Sequence, residues 1–280
     1  MVRIHPGLPY TDRSAGHPKT RRVRVFAFSG DDAVVMRFLP PVVPPEAATA
    51  RMREQGYAIV GAAGVAALCG TTPPALAALA PTWESLEPDA YLRDGGRYRR
   101  RRHTCFVVES GRLTQVPHRA HWQSVDYNAL HGGMHRWFAP MLPEVAAAPA
   151  FGALVAGLGE VFAQVRPAPR WHVEAHQFRI DTADGVGRPT PEGAHRDGVD
   201  FVAVLLVARS AIKGGETRVF EADGPRGERF TLEEPWSALL LDDARVIHES
   251  TPIQPVDAAA PGHRDTLVLT YRAAGFQGDA

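Results

Sequence analysis

The sequence predicts an α+β fold that is mainly β: a jelly-roll, cupin-like barrel backed by N-terminal helices. Three observations lead there. From residue 171 onward, short apolar runs alternate with Gly-, Pro- and Asp-rich turns every ten residues or so, the pattern of a sandwich or barrel. Helical periodicity is confined to the first 165 residues, so helices should form a layer over one face of the sheet. Apolar residues make up 45% of 280, enough for a sizeable core.

Composition narrows the function. Lys plus Arg and Asp plus Glu both total 31, and neither half is strongly basic, so no nucleic-acid footprint is expected. Cys69 and Cys105 form no CxxC and no disulfide framework, which fits a reducing cytoplasm. No apolar run reaches membrane-span length, and no signal-peptide core precedes the first helix. A soluble monomer or homodimer acting on a small molecule is the expectation.

Taken in order, residues 1–40 are polar and weakly patterned apart from a strand-like 23–28. They are expected to be a poorly ordered extension to a single domain, 41–280. Pro44, Pro45 and Glu46 open a helix over 47–55, since proline suits the first turn and glutamate its positive end, and Gly56 closes it. Residues 57–60 read as a strand, 65–69 and 73–80 as short helices, and 83–96 as a loop. The stretch 98–109 is a strand that begins with four arginines. Alternation puts Arg100 and Arg102 on one face and Arg99 and Arg101 on the other. Residues 118–138 are dense in His, Trp and amides and irregular. Their histidines match no closed zinc spacing, so a pocket-lining loop is expected. Phe151, Leu154, Val155, Leu158, Val161 and Phe162 fall at helical spacing, and Pro167 stops that helix. Strands follow at 171–180, 201–207, 229–232, 237–241, 246–253 and 264–272, with Gly214 and Gly215 turning into a further one.

The chemistry gathers at residues 193–220. His195 and Asp197, two apart at the mouth of an apolar strand, point to the same side of an extended segment. His248, on a later strand, is the best third ligand. Two imidazoles and one carboxylate on one face of an octahedron leave three adjacent positions open, the facial triad of non-haem Fe(II) oxygenases. Arg264 and Thr266 share a face of the last strand and suit the far end of a dicarboxylate, through a bidentate guanidinium and a hydroxyl.

With these residues in place the sequence resembles the Fe(II)/2-oxoglutarate-dependent dioxygenases, and within them the bacterial free amino-acid hydroxylases typified by L-isoleucine 4-hydroxylase. The resemblance is carried by residues 98–103, 123–128, Gly132, Gly133, Arg136 and Phe138, then 176–180, 191–198, 214–216 and 264–267, and covers about 50–273. It implies a double-stranded β-helix, with His195, Asp197 and His248 holding Fe(II) and Arg264 with Thr266 anchoring 2-oxoglutarate. It also implies O2 as oxidant, and succinate and CO2 released as an unactivated C–H of the substrate is hydroxylated.

A small free L-amino acid needs its two charged groups held. Arg179, Arg102, Arg100 or Arg196 could take the carboxylate, and Glu174, Asp126 or Asp200 the ammonium. Gln177, His121, Tyr127 and Asn128 could add hydrogen bonds, and Phe178, Trp122 and Trp137 apolar walls. Aliphatic substrates such as isoleucine or leucine, and cyclic ones such as pipecolate or proline, both fit this reading. Which face of 172–180 looks inward stays open at the sequence level. Two rivals remain there: a β-barrel binding protein without catalysis, and a cupin-like metal hydrolase or isomerase that uses no oxoglutarate.

Overall fold

The computed structural model describes residues 38–128 and 130–279. The expected extension lies outside them up to residue 37. The described chain opens with β1 (Val42–Val43), a 3-10 turn (Pro45–Ala47) and α1 (Ala48–Gln55). Gly56 ends α1 at φ +83°, its N–H on Met52 O. A Cβ there would lie 2.8 Å from Val246 Cγ1, so both conformation and packing require glycine. Next come β2 (Tyr57–Val60), α2 (Ala62–Leu68) and α3 (Pro73–Ala77). The Thr72 hydroxyl caps α3 by accepting from Ala75 N. The expected helix to residue 80 stops three residues short, and a 3-10 turn (Ala80–Ser85) replaces the start of the expected loop.

After β3 (Arg99–Glu109) and β4 (Arg112–Gln115), α4 (Pro143–Ala146) leads into α5 (Pro149–Val165). The rest is β: β5 (Arg170–Asp181), β6 (Phe201–Ser210), β7 (Ile212–Gly214), β8 (Thr217–Glu221) and β9 (Gly227–Phe230). It ends with β10 (Ala238–Asp242), β11 (Val246–Ser250), β12 (Ile253–Pro255) and β13 (His263–Arg272).

Eight strands form one sheet in the order β1-β2-β10-β6-β13-β5-β3-β4, antiparallel except for β1–β2. A three-stranded sheet, β11-β8-β9, and a two-stranded one, β12-β7, complete the jelly roll, and the barrel does not close. Alternation sorts the large sheet's side chains. Ala58, Val60, Ala203, Leu205, Ala238 and Leu240 join the helices in the main core. There Phe162 of α5 stacks on Phe201 at 4.7 Å. On the other face, Tyr57, Ile59, Val202, Leu206, Leu239 and Leu241 meet Val219, Phe230 and Val246 of the small sheet. That inner core reaches β13 only at the half-buried Val268, and over β5 and β3 a polar cavity takes its place.

Candidate active site

Strand register lays out the cavity floor. Four rows run across β13, β5 and β3: Arg264–Ile180–Arg99, Thr266–Phe178–Arg101, Val268–His176–His103 and Thr270–Glu174–Cys105. Ten of these twelve residues line a cavity of about 130 Å³, His103 and Cys105 lying just behind it. One cavity wall is thus cationic at one end and carries an imidazole–carboxylate group at the other.

His195, Asp197 and His248 face this floor. Their ligand atoms all lie within 4.8 Å of one another. A reciprocal backbone bridge, His195 N to His248 O at 3.1 Å and His248 N to His195 O at 3.0 Å, fixes the two histidines side by side. Each Nε2 lies 3.8 Å from a different oxygen of Asp197. His195 Nδ1 is 2.9 Å from Gly193 O, an acceptor that requires the proton there and leaves the Nε2 lone pair facing the centre. Burial and the neighbouring His195 hold His248 neutral, as a ligand must be. Burial opposes a proton on His195, but the carboxylates of Asp197 and Glu192 outweigh it and raise its pKa. The Asp197 and Glu192 carboxylates beside the imidazoles supply the negative charge that a divalent cation would need.

Further groups hold Asp197. The buried Asp243 carboxylate accepts the backbone N–H of Asp197, Gly198 and Val199 at 2.9, 2.8 and 3.1 Å. Gln123 Nε2 donates to Asp197 Oδ1 at 3.2 Å, while Gln123 Oε1 accepts from Arg136 at 2.9 Å and Asn128 at 3.2 Å. The loop carrying Gln123 is clasped by paired backbone bonds between His121 and Arg136, both 2.9 Å.

Arg264 is 4% exposed, and no carboxylate among the described residues approaches its guanidinium within salt-bridge distance. Burial and the nearby Arg209 lower its pKa to about 10, still charged at neutral pH. A buried, acid-free guanidinium beside the Thr266 hydroxyl is an anion site. The Trp83 indole N–H donates to Phe178 O and Thr266 O at 3.1 and 3.3 Å, pinning β5 to β13 at this point. Trp83 stands in the stretch expected to be loop, and sequence periodicity carries no sign of its role.

A second group, His103, His121, Glu174 and His176, also lies within 4.8 Å. It is closed by its own hydrogen bonds. Glu174 Oε2 accepts from His103 at 2.8 Å and His121 at 2.6 Å, and Arg101 donates to His176 Nδ1 at 2.6 Å. Burial alone would raise the Glu174 carboxyl, yet its interactions with His121 and His103, hydrogen bonds included, hold it below its usual range. With the Arg101 guanidinium already on one imidazole, this group is a hydrogen-bonded wall and not a second metal centre.

The face left open at the sequence level is now decided. Glu174, His176 and Phe178 look inward, and so do Arg99 and Arg101. Gln177 and Arg179 look out: Gln177 donates to Thr82 Oγ1, and Arg179 is paired with Glu84 and Asp265. Arg102 is spent on Ser85 O, Pro140 O and Glu87, and Arg100 lies near Asp181. These positions are therefore corrected, because a one-residue step along a strand changes face. Asp200 pairs with Arg166, and Tyr127 packs against Gly198 beside Arg196, outside the main cavity. His121 and Asn128 line the cavity, whereas Trp137 is 58% exposed. Sequence reading passed over Gln123, Arg136 and Glu192 as site residues, although all three stand in the stretches that carry the family resemblance.

Comparison with known proteins bears on the same residues. A family model described as 2OG-Fe dioxygenase matches residues 80–270, which hold the triad, Arg264 and the cavity floor. The chain belongs to the 2OG-Fe dioxygenase family. Among solved structures, a BsmA homologue from Methylobium petroleophilum is 55% identical, with a TM-score of 0.82, over 86% of this chain and 98% of that one. IDO from Bacillus thuringiensis is 17% identical over 83% of this chain and 97% of that one, with a TM-score of 0.67. The Fe(II)/α-ketoglutarate-dependent dioxygenase TqaL is 20% identical over 84% and 90%, with a TM-score of 0.64. The last two share the fold. No curated protein matches.

For this dioxygenase the cofactor set is Fe(II), 2-oxoglutarate and O2. Two neutral imidazole nitrogens and a carboxylate suit Fe(II), which with oxoglutarate supplies the oxidising chemistry when bound. The protein's own residues would hold the ligand atoms, Arg264 would neutralise an incoming anion, and the cavity walls would bury the reacting space. The readings without oxoglutarate or without catalysis fall away with the family assignment.

Proposed function

We propose that this dioxygenase hydroxylates an unactivated C–H of a small free L-amino acid, with an aliphatic or a cyclic side chain. One observation carries the reading: the charges around the cavity balance. Apart from Arg264, the guanidinium groups of Arg99, Arg101 and Arg136 are matched in number by the carboxylates of Asp89, Glu174 and Glu192. Fe(II), Asp197, the oxoglutarate dianion and Arg264 cancel likewise. A ligand that adds no net charge but needs opposite charges at two points fits such a space, and a zwitterion is that ligand. Phe178, Val199, Val204 and Val268 offer an apolar surface to its side chain.

The test is succinate release from 2-oxoglutarate with Fe(II) under air, with and without isoleucine, leucine, proline and pipecolate. At least one should stimulate succinate formation and be recovered with one added oxygen atom. If none of these or related amino acids is oxidised, the substrate class is wrong.

A further inference from the structure

Two opposed charges in the cavity stand apart without meeting. Glu192 lines it beside the iron centre, with Oε1 3.6 Å from His195 Nε2. Its other oxygen, Oε2, is buried and has no hydrogen-bond partner. Arg136, 2% exposed, lines the same cavity. One of its nitrogens donates to Gln123, and its buried Nε has no partner. The two residues are near enough for the Glu192 charge to act on the guanidinium, yet no ion pair within 4.0 Å joins them. A buried carboxylate oxygen and a buried guanidinium N–H are each costly to leave unpaired. Nearby carboxylates are already engaged. Glu174 Oε2 takes two imidazole N–H groups, and Asp89 takes Arg99 at 2.7 Å.

Resting on the amino-acid reading above, we infer that Glu192 and Arg136 form the clamp for the α-amino-acid head group, with the ammonium on Glu192 and the carboxylate on Arg136. The two charges of an α-amino acid are a fixed few bonds apart, so they bridge a gap that neither protein group closes alone. The arrangement also orients the substrate. Glu192 lies next to His195, and Arg136 is tied through Gln123 to Asp197, so the head group is placed relative to the metal ligands themselves. The side chain is left to extend over the valines and Phe178. This assigns the ammonium to Glu192 and not to Glu174, and the carboxylate to an arginine of the 121–136 loop and not to one on the sheet.

The experiment compares paired ligands. For an amino acid oxidised by the wild type, KM or inhibition constants are measured for that amino acid, its desamino acid and its carboxamide, in the wild type and in Glu192→Gln, Arg136→Gln and Glu174→Gln. In the wild type each truncated ligand should bind at least 10-fold more weakly. In Glu192→Gln the preference for the amino acid over the desamino acid should collapse towards unity. In Arg136→Gln the preference over the carboxamide should collapse in the same way. If Glu192→Gln keeps the wild-type preference, or Glu174→Gln alone removes it, the clamp is wrong while the amino-acid reading stands. If the wild type oxidises no amino acid, both fall together. Should Arg136→Gln not fold, Glu192→Gln, which is isosteric and in a loop, still decides the assignment.

Discussion

The side chains that organise this centre are not all ligands. Gln123 shows why. Its amide takes Arg136 and Asn128 on the oxygen and gives its N–H to Asp197, so the amide cannot flip without breaking contacts on both sides. One Asp197 oxygen is thereby restrained and the carboxylate is aimed. Replacing Gln123 with methionine keeps the volume but removes all three hydrogen bonds. Groups that orient metal ligands typically contribute about 10–100-fold to metal affinity. Co(II) titration of Gln123→Met should show a loss in that range, and an unchanged affinity would mean that Asp243 alone orients Asp197. The sequence displayed Gln123 openly but gave no reason to choose it over Gln177. Gln123 reaches the cavity from a loop, whereas Gln177 lies on the outward face of β5 and bonds Thr82.

At the scale of elements, the loop from His121 to Arg136 behaves as a built unit. Its ends are joined by paired backbone bonds, Asn128 Oδ1 accepts His131 N at 2.7 Å, and Gly133 N donates to Gln123 O at 2.8 Å. Gly132 makes the turn possible: a Cβ would lie 2.5 Å from the carbonyl oxygens of Ser124 and Asn128, which are backbone and cannot yield. Gly132→Ala should cost about 1–3 kcal/mol in urea unfolding, the usual range for overpacking, and weaken substrate binding through Arg136. A variant with wild-type stability and KM would show that the loop can re-form around a methyl group. Periodicity located the strands and helices well because each has one apolar face. This loop has no period, so its density of polar groups could be seen but its internal bonds could not.

For the whole molecule, the buried group on β3, β5 and the loop links pH to stability. Burial lowers the His121 pKa from 6.5 to about 4 and also lowers His103 and His176, while Glu174 sits below its usual 4.5. All four bind protons more readily in the unfolded chain. Their contribution is therefore complete above about pH 6.5, declines first as the histidines gain protons on unfolding, and is lost further below pH 4.5 as Glu174 follows. Asp243, whose carboxyl is pushed up to about 7 by burial and by Asp197, acts in the opposite sense as pH falls. The difference in Tm between the wild type and His121→Gln should therefore be constant from pH 8 to 7 and shrink between pH 6.5 and 4, and a difference that holds steady down to pH 4 would contradict the buried neutral state of His121. Among the described residues no single helix is long and apolar enough to cross a membrane.

The sequence by itself determined the mainly β architecture, the helical layer and the candidate iron and oxoglutarate residues. These depend on local rules: the period of two in strands, the period of 3.6 in helices, and the chemistry of a His-x-Asp pair with a distant His and an Arg-x-Thr. Only the tertiary structure decided which arginines face the cavity. Arg99 and Arg101 differ from Arg100 and Arg102 by one step, and the face that turns inward depends on which strands pair and on what covers the sheet. The helical layer claims the side of Val173, Ala175 and Gln177, and the cavity receives what remains. Glu192 and Arg136 were hidden for a related reason. They come from two loops 56 residues apart in sequence, and only the fold brings their unpaired charges to one cavity.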